Sequence, residues 1–212
     1  MPNLVFQALH IPRAWLVGLL GDFYRAHPDV DLELAATKLS TQDKLSCLRT
    51  GEADISIRFG RPDDWPGFEC IELTKTDLFP VCSPEYRAAL GDCAEPRALL
   101  KATLLRSPRQ PWAPWFAASG IECREPQQGP QFSDAALTLE AAARGQGVAL
   151  ARSSLAQPDV QAGRLVALFD RAVRSSQSYH AIYTHTIAER PKVRAFLTWI
   201  SERAATSVAA PA

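Results

Sequence analysis

The sequence predicts an α/β protein assembled from strand–helix–strand units, and several stretches carry that prediction. Residues 132–152, FSDAALTLEAAARGQGVALAR, run from a strand end through a helix to a second strand. Ser133 and Asp134 are both residue types whose side-chain oxygen accepts from the free amides of a first helical turn, so either can open the helix. Gly145 supplies the left-handed conformation in which helices commonly stop, and residues 147–151 resume as an apolar strand. Residues 4–37 and 41–59 repeat the same order of elements. Such units normally belong to a parallel sheet, whose ligands bind beyond the carboxyl ends of the strands. The cap at 133–134 therefore has two readings, an ordinary crossover helix start or a ligand-facing one with amide donors and partial positive charge.

Taken in order, residues 4–9 form a short apolar run suited to a buried strand, and Pro12 fits the first turn of a following helix. Trp15, Leu16, Leu19, Leu20 and Phe23 recur at helical spacing until His27-Pro28 stops the run, and residues 30–37 read as the next strand. Thr41 is positioned to cap a helix carrying Leu45 and Leu48 and ending at Gly51, before a strand at 53–59. Residues 60–68, GRPDDWPGF, are dense in Gly, Pro and Asp and predict a loop. Strands are expected at 69–73 and 78–83, a short helix at 84–90 and a short strand at 102–106. Trp112, Trp115 and Phe116 predict a small helix packed on the core rather than a base-stacking platform, because no basic cluster accompanies them. The 134–144 helix is nearly all Ala and Leu, with Glu140 and Arg144 paired at i,i+4. It is expected to be covered on more than one side, with Ala142 facing outward toward a second subunit. One helical turn is expected at 153–156, strands at 165–169 and 178–184, and a last helix from Pro191 with Val193, Phe196, Leu197 and Ile200 on one face. The tail from Ala204 has nothing to bury and is expected to fray.

Composition narrows the function classes. The chain has 212 residues, 47% hydrophobic and 22% charged, enough for one large domain or two small ones. Its 23 basic and 23 acidic residues leave no basic excess of the kind that marks nucleic-acid-binding domains. No apolar run approaches the ~20 residues that span a bilayer, and the N-terminus lacks the basic start and apolar core of a signal peptide, so the expected location is cytoplasmic without membrane contact. The five cysteines are odd in number and include no C-x-x-C pair, which predicts reduced, core-filling thiols.

No G-x-S-x-G elbow or phosphate-binding loop is present. Gly145-Gln146-Gly147 follows a helix and enters a strand, the reverse of what a dinucleotide fingerprint needs. His180 and His185 stand five apart on an expected strand, which puts them on opposite faces and excludes a shared metal. His10, between a strand end and a helix start, has no carboxylate partner in view. An enzyme using His10 or Ser133 would need a turnover that disappears on their replacement by alanine.

Segments FYRAHPDVDLEL (23–34), GEADISIRFGRPDDWPGFECIEL (51–73), LFPVCSPEY (78–86), the 132–152 stretch and PKVRAFLTWI (191–200) resemble, in collinear order, the effector-binding half of LysR-type transcriptional regulators. The subgroup they are most similar to contains the glycine-cleavage activator and the β-lactamase regulators. The resemblance implies a type II periplasmic-binding-protein-like α/β fold, with subdomain I at 1–76 and 182–212, subdomain II at 77–181, and two crossover strands joining them. A small molecule would be held in the cleft. The matching residues are His10, where many relatives carry Ser or Thr, and Arg13, then Arg58, Phe59 and Gly60, Ser133 with Asp134, and Tyr179; no catalytic residue, metal or cofactor is implied. A homodimer is implied, contacting DNA only through an N-terminal winged helix-turn-helix that these residues do not include, so the sequence is expected to be a piece of a larger regulator. A carboxylate at Asp134, if turned to the ligand, would disfavour a purely anionic effector and favour an amino-acid- or peptide-like one. The alternative is a free-standing solute-binding protein of the same fold.

Overall fold

The computed structural model describes residues 3–8, 13–36, 45–91 and 93–208. By its contacts the chain divides into two units, Met1–Lys75 with Ser176–Ala212, and Thr76–Ser175. In the first, strand β1 (Asn3–Ala8) leads to helix α1 (Arg13–Ala26), strand β2 (Asp31–Ala36), the short helix α2 (Ser46–Thr50), strand β3 (Ile55–Gly60) and strand β4 (Glu69–Thr74). The second runs through β5 (Asp77–Cys82), α3 (Pro84–Ala89), β6 (Leu104–Leu105), α4 (Ala113–Ala118), α5 (Ala135–Ala143), β7 (Val148–Arg152), α6 (Ser153–Gln161), β8 (Val166–Ala167) and β9 (Val173–Arg174). The chain then returns to the first unit with β10 (Ser178–Tyr183), α7 (His185–Ala188) and α8 (Pro191–Val208).

The first unit's sheet has the order β2-β1-β3-β10-β4, with β1 parallel to β2 and β3, and β10 antiparallel to both β3 and β4. Alternation along the strands divides its faces. Leu4, Ile55 and Ile57 join Leu16 and Phe23 of α1 and Val193, Phe196, Trp199 and Ile200 of α8 in one cluster. Phe23 lies edge-on to Phe196 and Trp199, at 5.3 and 5.1 Å between ring centres. Ile182 and Val5 pack on the other face with Leu45, Cys47 and Leu48. Asp54, buried just before β3, accepts from Val5 N at 3.1 Å, Lys192 Nζ at 2.8 Å and Arg190 at 3.2 Å. This carboxylate ties the entry of α8 to the sheet.

In the second unit β6 runs parallel to β7, whereas β5 is antiparallel to β7, β8 and β9. Trp112, Trp115 and Phe116 are buried with Val148 and Leu150, the core role expected for them. Leu139, Ala142, Ala149 and Ala151 form the cluster under α5. The close approach of Gly147 to β6 requires a glycine: with φ at 153°, an added Cβ would lie 2.4 Å from the Thr103 carbonyl oxygen.

Several expectations are corrected. Ala142 is fully buried against its own sheet, and Leu137, 59% exposed, is the outward residue of α5. Helix α6 is a full element rather than one turn, despite Pro158, because Leu155, Ala156 and Val160 pack on the α5 cluster and outweigh the lost hydrogen bond. Helix α8 continues past Ala204, which is buried and extends the apolar stripe one turn beyond Ile200. The return to the first unit falls between Ser175 and Ser176, earlier than residue 182, since the whole of β10 pairs with β3 and β4. The proposed Thr41 cap lies outside the described residues.

Candidate functional site

The expected site residues fall in two places. On the first unit, β3 and β10 pair so that Arg58 faces His180, Phe59 faces Tyr179 and Gly60 faces Ser178. Arg58 is buried, and its Nε donates to Ser56 Oγ at 2.9 Å. His180, also buried, donates from Nδ1 to the Ser178 carbonyl at 3.1 Å and meets the edge of Trp65 at 5.2 Å. Burial pushes its imidazole below the ordinary value, opposed more weakly by the Ser178 carbonyl and by Glu72 and Asp64. Gly60 is needed for space: a Cβ there would lie 2.8 Å from both Asp64 Oδ2 and the Trp65 ring. Asp64 in turn accepts from Arg61 N at 2.8 Å and closes the short 3₁₀ turn at Pro62–Asp64 inside the 60–68 loop.

Tyr179, expected to meet a ligand, is 1% exposed and belongs to the core cluster of its unit, its ring 5.0 Å from Phe59. Odd positions of β10 share the face covered by α1 and α8. Arg13 is the first residue of α1, and His10 lies outside the described residues.

On the second unit, Asp134 rather than Ser133 caps α5, its Oδ1 accepting from Leu137 N at 2.9 Å while Ser133 is exposed. That bond gives the Asp134 carboxylate a structural task. Beside this helix start, where β6 and β7 end, a small open pocket of about 20 Å³ is lined by Ala135, Thr138 and Leu139 of α5, by Leu150 and Arg152 of β7, and by Gln110 of the loop after β6. Leu105, Ser107, Ala151 and Leu155 complete its wall. Thr138 Oγ1 donates to the Asp134 carbonyl at 2.8 Å, and Gln110 Nε2 donates to the Leu150 carbonyl. Parallel strand ends beside a helix start are the usual ligand position in α/β sheets.

Sequence reasoning reached this helix but not the pocket residues. Arg152 was visible as a charge closing an otherwise apolar strand, and Ser107 and Gln110 as polar residues in the Pro-rich loop. Nothing in their spacing links them, because they meet only through the pairing of β6 with β7. Among the described residues, no group of His, Cys, Asp and Glu is arranged to hold a metal ion. The cysteines are free, and burial pushes the Cys82 thiol up to about 11, far from a reactive thiolate.

The paired α/β units define a periplasmic-binding-protein-like ligand-binding domain. Residues 6–205 match the LysR substrate binding domain model, and the chain belongs to that family. It is 36% identical over 192 residues to the glycine cleavage system transcriptional activator of Escherichia coli K12, a match covering 90% of this chain and 61% of that protein. The chain thus spans about three fifths of the length of that relative. It also superposes on the effector domain of the transcriptional regulator AmpR of Pseudomonas aeruginosa with a TM-score of 0.84 and 30% identity, over 98% of this chain and 97% of that one. The AmpR effector binding domain of Citrobacter freundii gives a TM-score of 0.83 at 26% identity, over 97% and 100%. These relatives are named as regulators rather than as free-standing solute-binding proteins. No helix among the described residues is long and apolar enough to cross a membrane.

Proposed function

We propose that this domain senses a small-molecule effector on behalf of a cytoplasmic, DNA-binding transcriptional regulator, and that the cavity beside the start of α5 receives the effector. The position of the cavity carries this reading: it lies at the ends of two parallel strands and beside a helix N-terminus, with apolar walls and a few convergent polar groups. Family membership and the regulator names of the relatives support it. The even balance of 23 basic and 23 acidic residues fits a domain that leaves DNA contact to another part of the protein. The domain acts as a homodimer, in which the effector favours one of two arrangements by binding it more tightly.

Thermal unfolding across a panel of small metabolites tests the sensing role, since a ligand of the native state raises the unfolding midpoint. One chemical class is expected to raise it, and Ala135→Trp, which fills the cavity, is expected to abolish the rise. A panel that leaves the midpoint unmoved overturns the reading. Sedimentation velocity is expected to show two copies in the particle; a monomer at all concentrations would remove the dimer from it.

A further inference from the structure

We propose that the turn at Pro62–Asp64, together with Trp65, is a pH-sensitive clasp on the first unit's sheet, closing on the neutral imidazole of His180 and opening when that ring takes up a second proton. The turn doubles back onto the end of β3, which is why a Cβ on Gly60 would meet both Asp64 and the Trp65 ring. Trp65 reaches His180 on β10, with 5.2 Å between ring centres, and packs in the cluster that holds Leu48 of α2 and Ile182. His180 is 3% exposed. The Ser178 carbonyl can only accept, so Nδ1 carries the proton of the neutral ring and Nε2 is the place for a second one.

Among the described residues, charged and titratable groups approach this ring from four elements. Arg58 is its cross-strand partner on β3 and is itself buried, and Glu72 is its partner on β4. Asp64 comes from the turn. Cys47 of α2 and Cys70 of β4 pack on the same face beside Ile182, their thiols kept neutral by burial, and Arg49 of α2 lies over the Phe68 ring. Like charges directly opposite on paired strands destabilise the pair, so an imidazolium facing Arg58 is opposed by that cation as well as by burial. Glu72 and Asp64 pull the other way, but both are exposed, and Asp64 Oδ2 already accepts from Arg61 N. Lifting Trp65 off the ring admits water to it and makes the second proton less costly. The open turn therefore binds more protons than the closed one, and acid favours it.

The test is native-state hydrogen exchange on the unaltered domain between about pH 7.5 and about pH 5, each rate corrected for its intrinsic pH dependence. The reporters are the amides of Asp64, Trp65 and Phe68, which donate to the carbonyls of Arg61, Pro62 and Trp65. Their protection is expected to fall as the pH drops below 6.5, by up to about tenfold per pH unit for one proton. Amides of α8, in the same unit, should keep theirs. In His180→Gln the protection of the turn is expected to stay level across the range. A pH-independent turn in the unaltered domain overturns the proposal, as does an undiminished pH dependence in His180→Gln. A loss shared equally by α8 also overturns it, because the whole unit would then be opening. If His180→Gln does not fold, the ring titration of His180 by NMR decides: a midpoint below 6.5 that matches the loss in the turn supports the clasp, and one at or above 6.5 overturns it.

Discussion

Buried polar residues cluster in both units, and their surroundings differ. On β3 of the first unit and just before it, Asp54, Ser56 and Arg58 are each at most 5% exposed, and together with His180 they are engaged in side-chain and backbone hydrogen bonds within that unit. In the second unit Arg152 at the end of β7 and Thr138 on α5 are about as deeply buried, yet they border an open pocket. Burial of a charged or polar group therefore does not by itself mark a binding site. What separates the two regions is whether the packed neighbours close over the polar groups or stop short of them.

The largest test of this contrast is Asp54→Ala. It leaves Lys192, Arg190 and the Val5 amide without their shared carboxylate, and about 3–5 kcal/mol of stability is expected to be lost in urea unfolding, as for other broken buried ion pairs. Arg58→Met comes next. Removing a buried, hydrogen-bonded cation is expected to cost about 2 kcal/mol and to leave binding of the proposed effector unchanged. A loss of ligand affinity with normal stability would show that the β3 face is also a binding surface, and the contrast would fail.

A smaller effect separates the two residues at the start of α5. Asp134→Ala removes the cap and should cost about 1 kcal/mol, whereas Ser133→Ala, at an exposed position, should stay within about 0.5 kcal/mol. Equal losses at the two positions would mean that they share the capping role.

The finest effect is in pH. Burial holds His180 below the ordinary imidazole value of 6.5, so the folded state favours its neutral form. Its stabilising contribution is present above 6.5 and is lost as the pH falls through that value toward the depressed folded one. His185 has the opposite sign: Glu69, at 2.6 Å, raises its imidazole, so its contribution is present below 6.5 and is lost as the pH rises through the raised value. His180→Gln is expected to flatten the acid side of the stability profile, and a profile unchanged on that side would count against a buried neutral imidazole. Because His185 is exposed, His185→Gln should change the profile least.

The 132–152 stretch was legible almost entirely. Its helix, its stop at Gly145 with φ of 71° and the Glu140–Arg144 pair at 2.7 Å follow from local chemistry, whereas the choice between adjacent cap residues and the face on which Ala142 lies required coordinates. The aromatic residues of α4 were legible as core for a similar reason, since large apolar rings without a basic setting are buried by the hydrophobic effect. The expected site was less legible. Tyr179 and Arg58 stand on neighbouring strands in exact alternation, but which layer covers each face depends on helices far away in the chain. Ala142 shows the same limit, since a helix apolar on every side does not announce which side meets its own sheet.

The sequence alone determined the order of the main strands and helices, the family and its α/β fold, because each rests on short-range patterns or on a run of residues in fixed order. Tertiary structure alone decided that Gln110, Thr138 and Arg152 meet around one cavity while Asp54, Ser56 and Arg58 are covered. The reason is physical. Strand pairing and packing bring together residues separated by dozens of positions, and no local pattern records which neighbour will arrive to cover a buried charge.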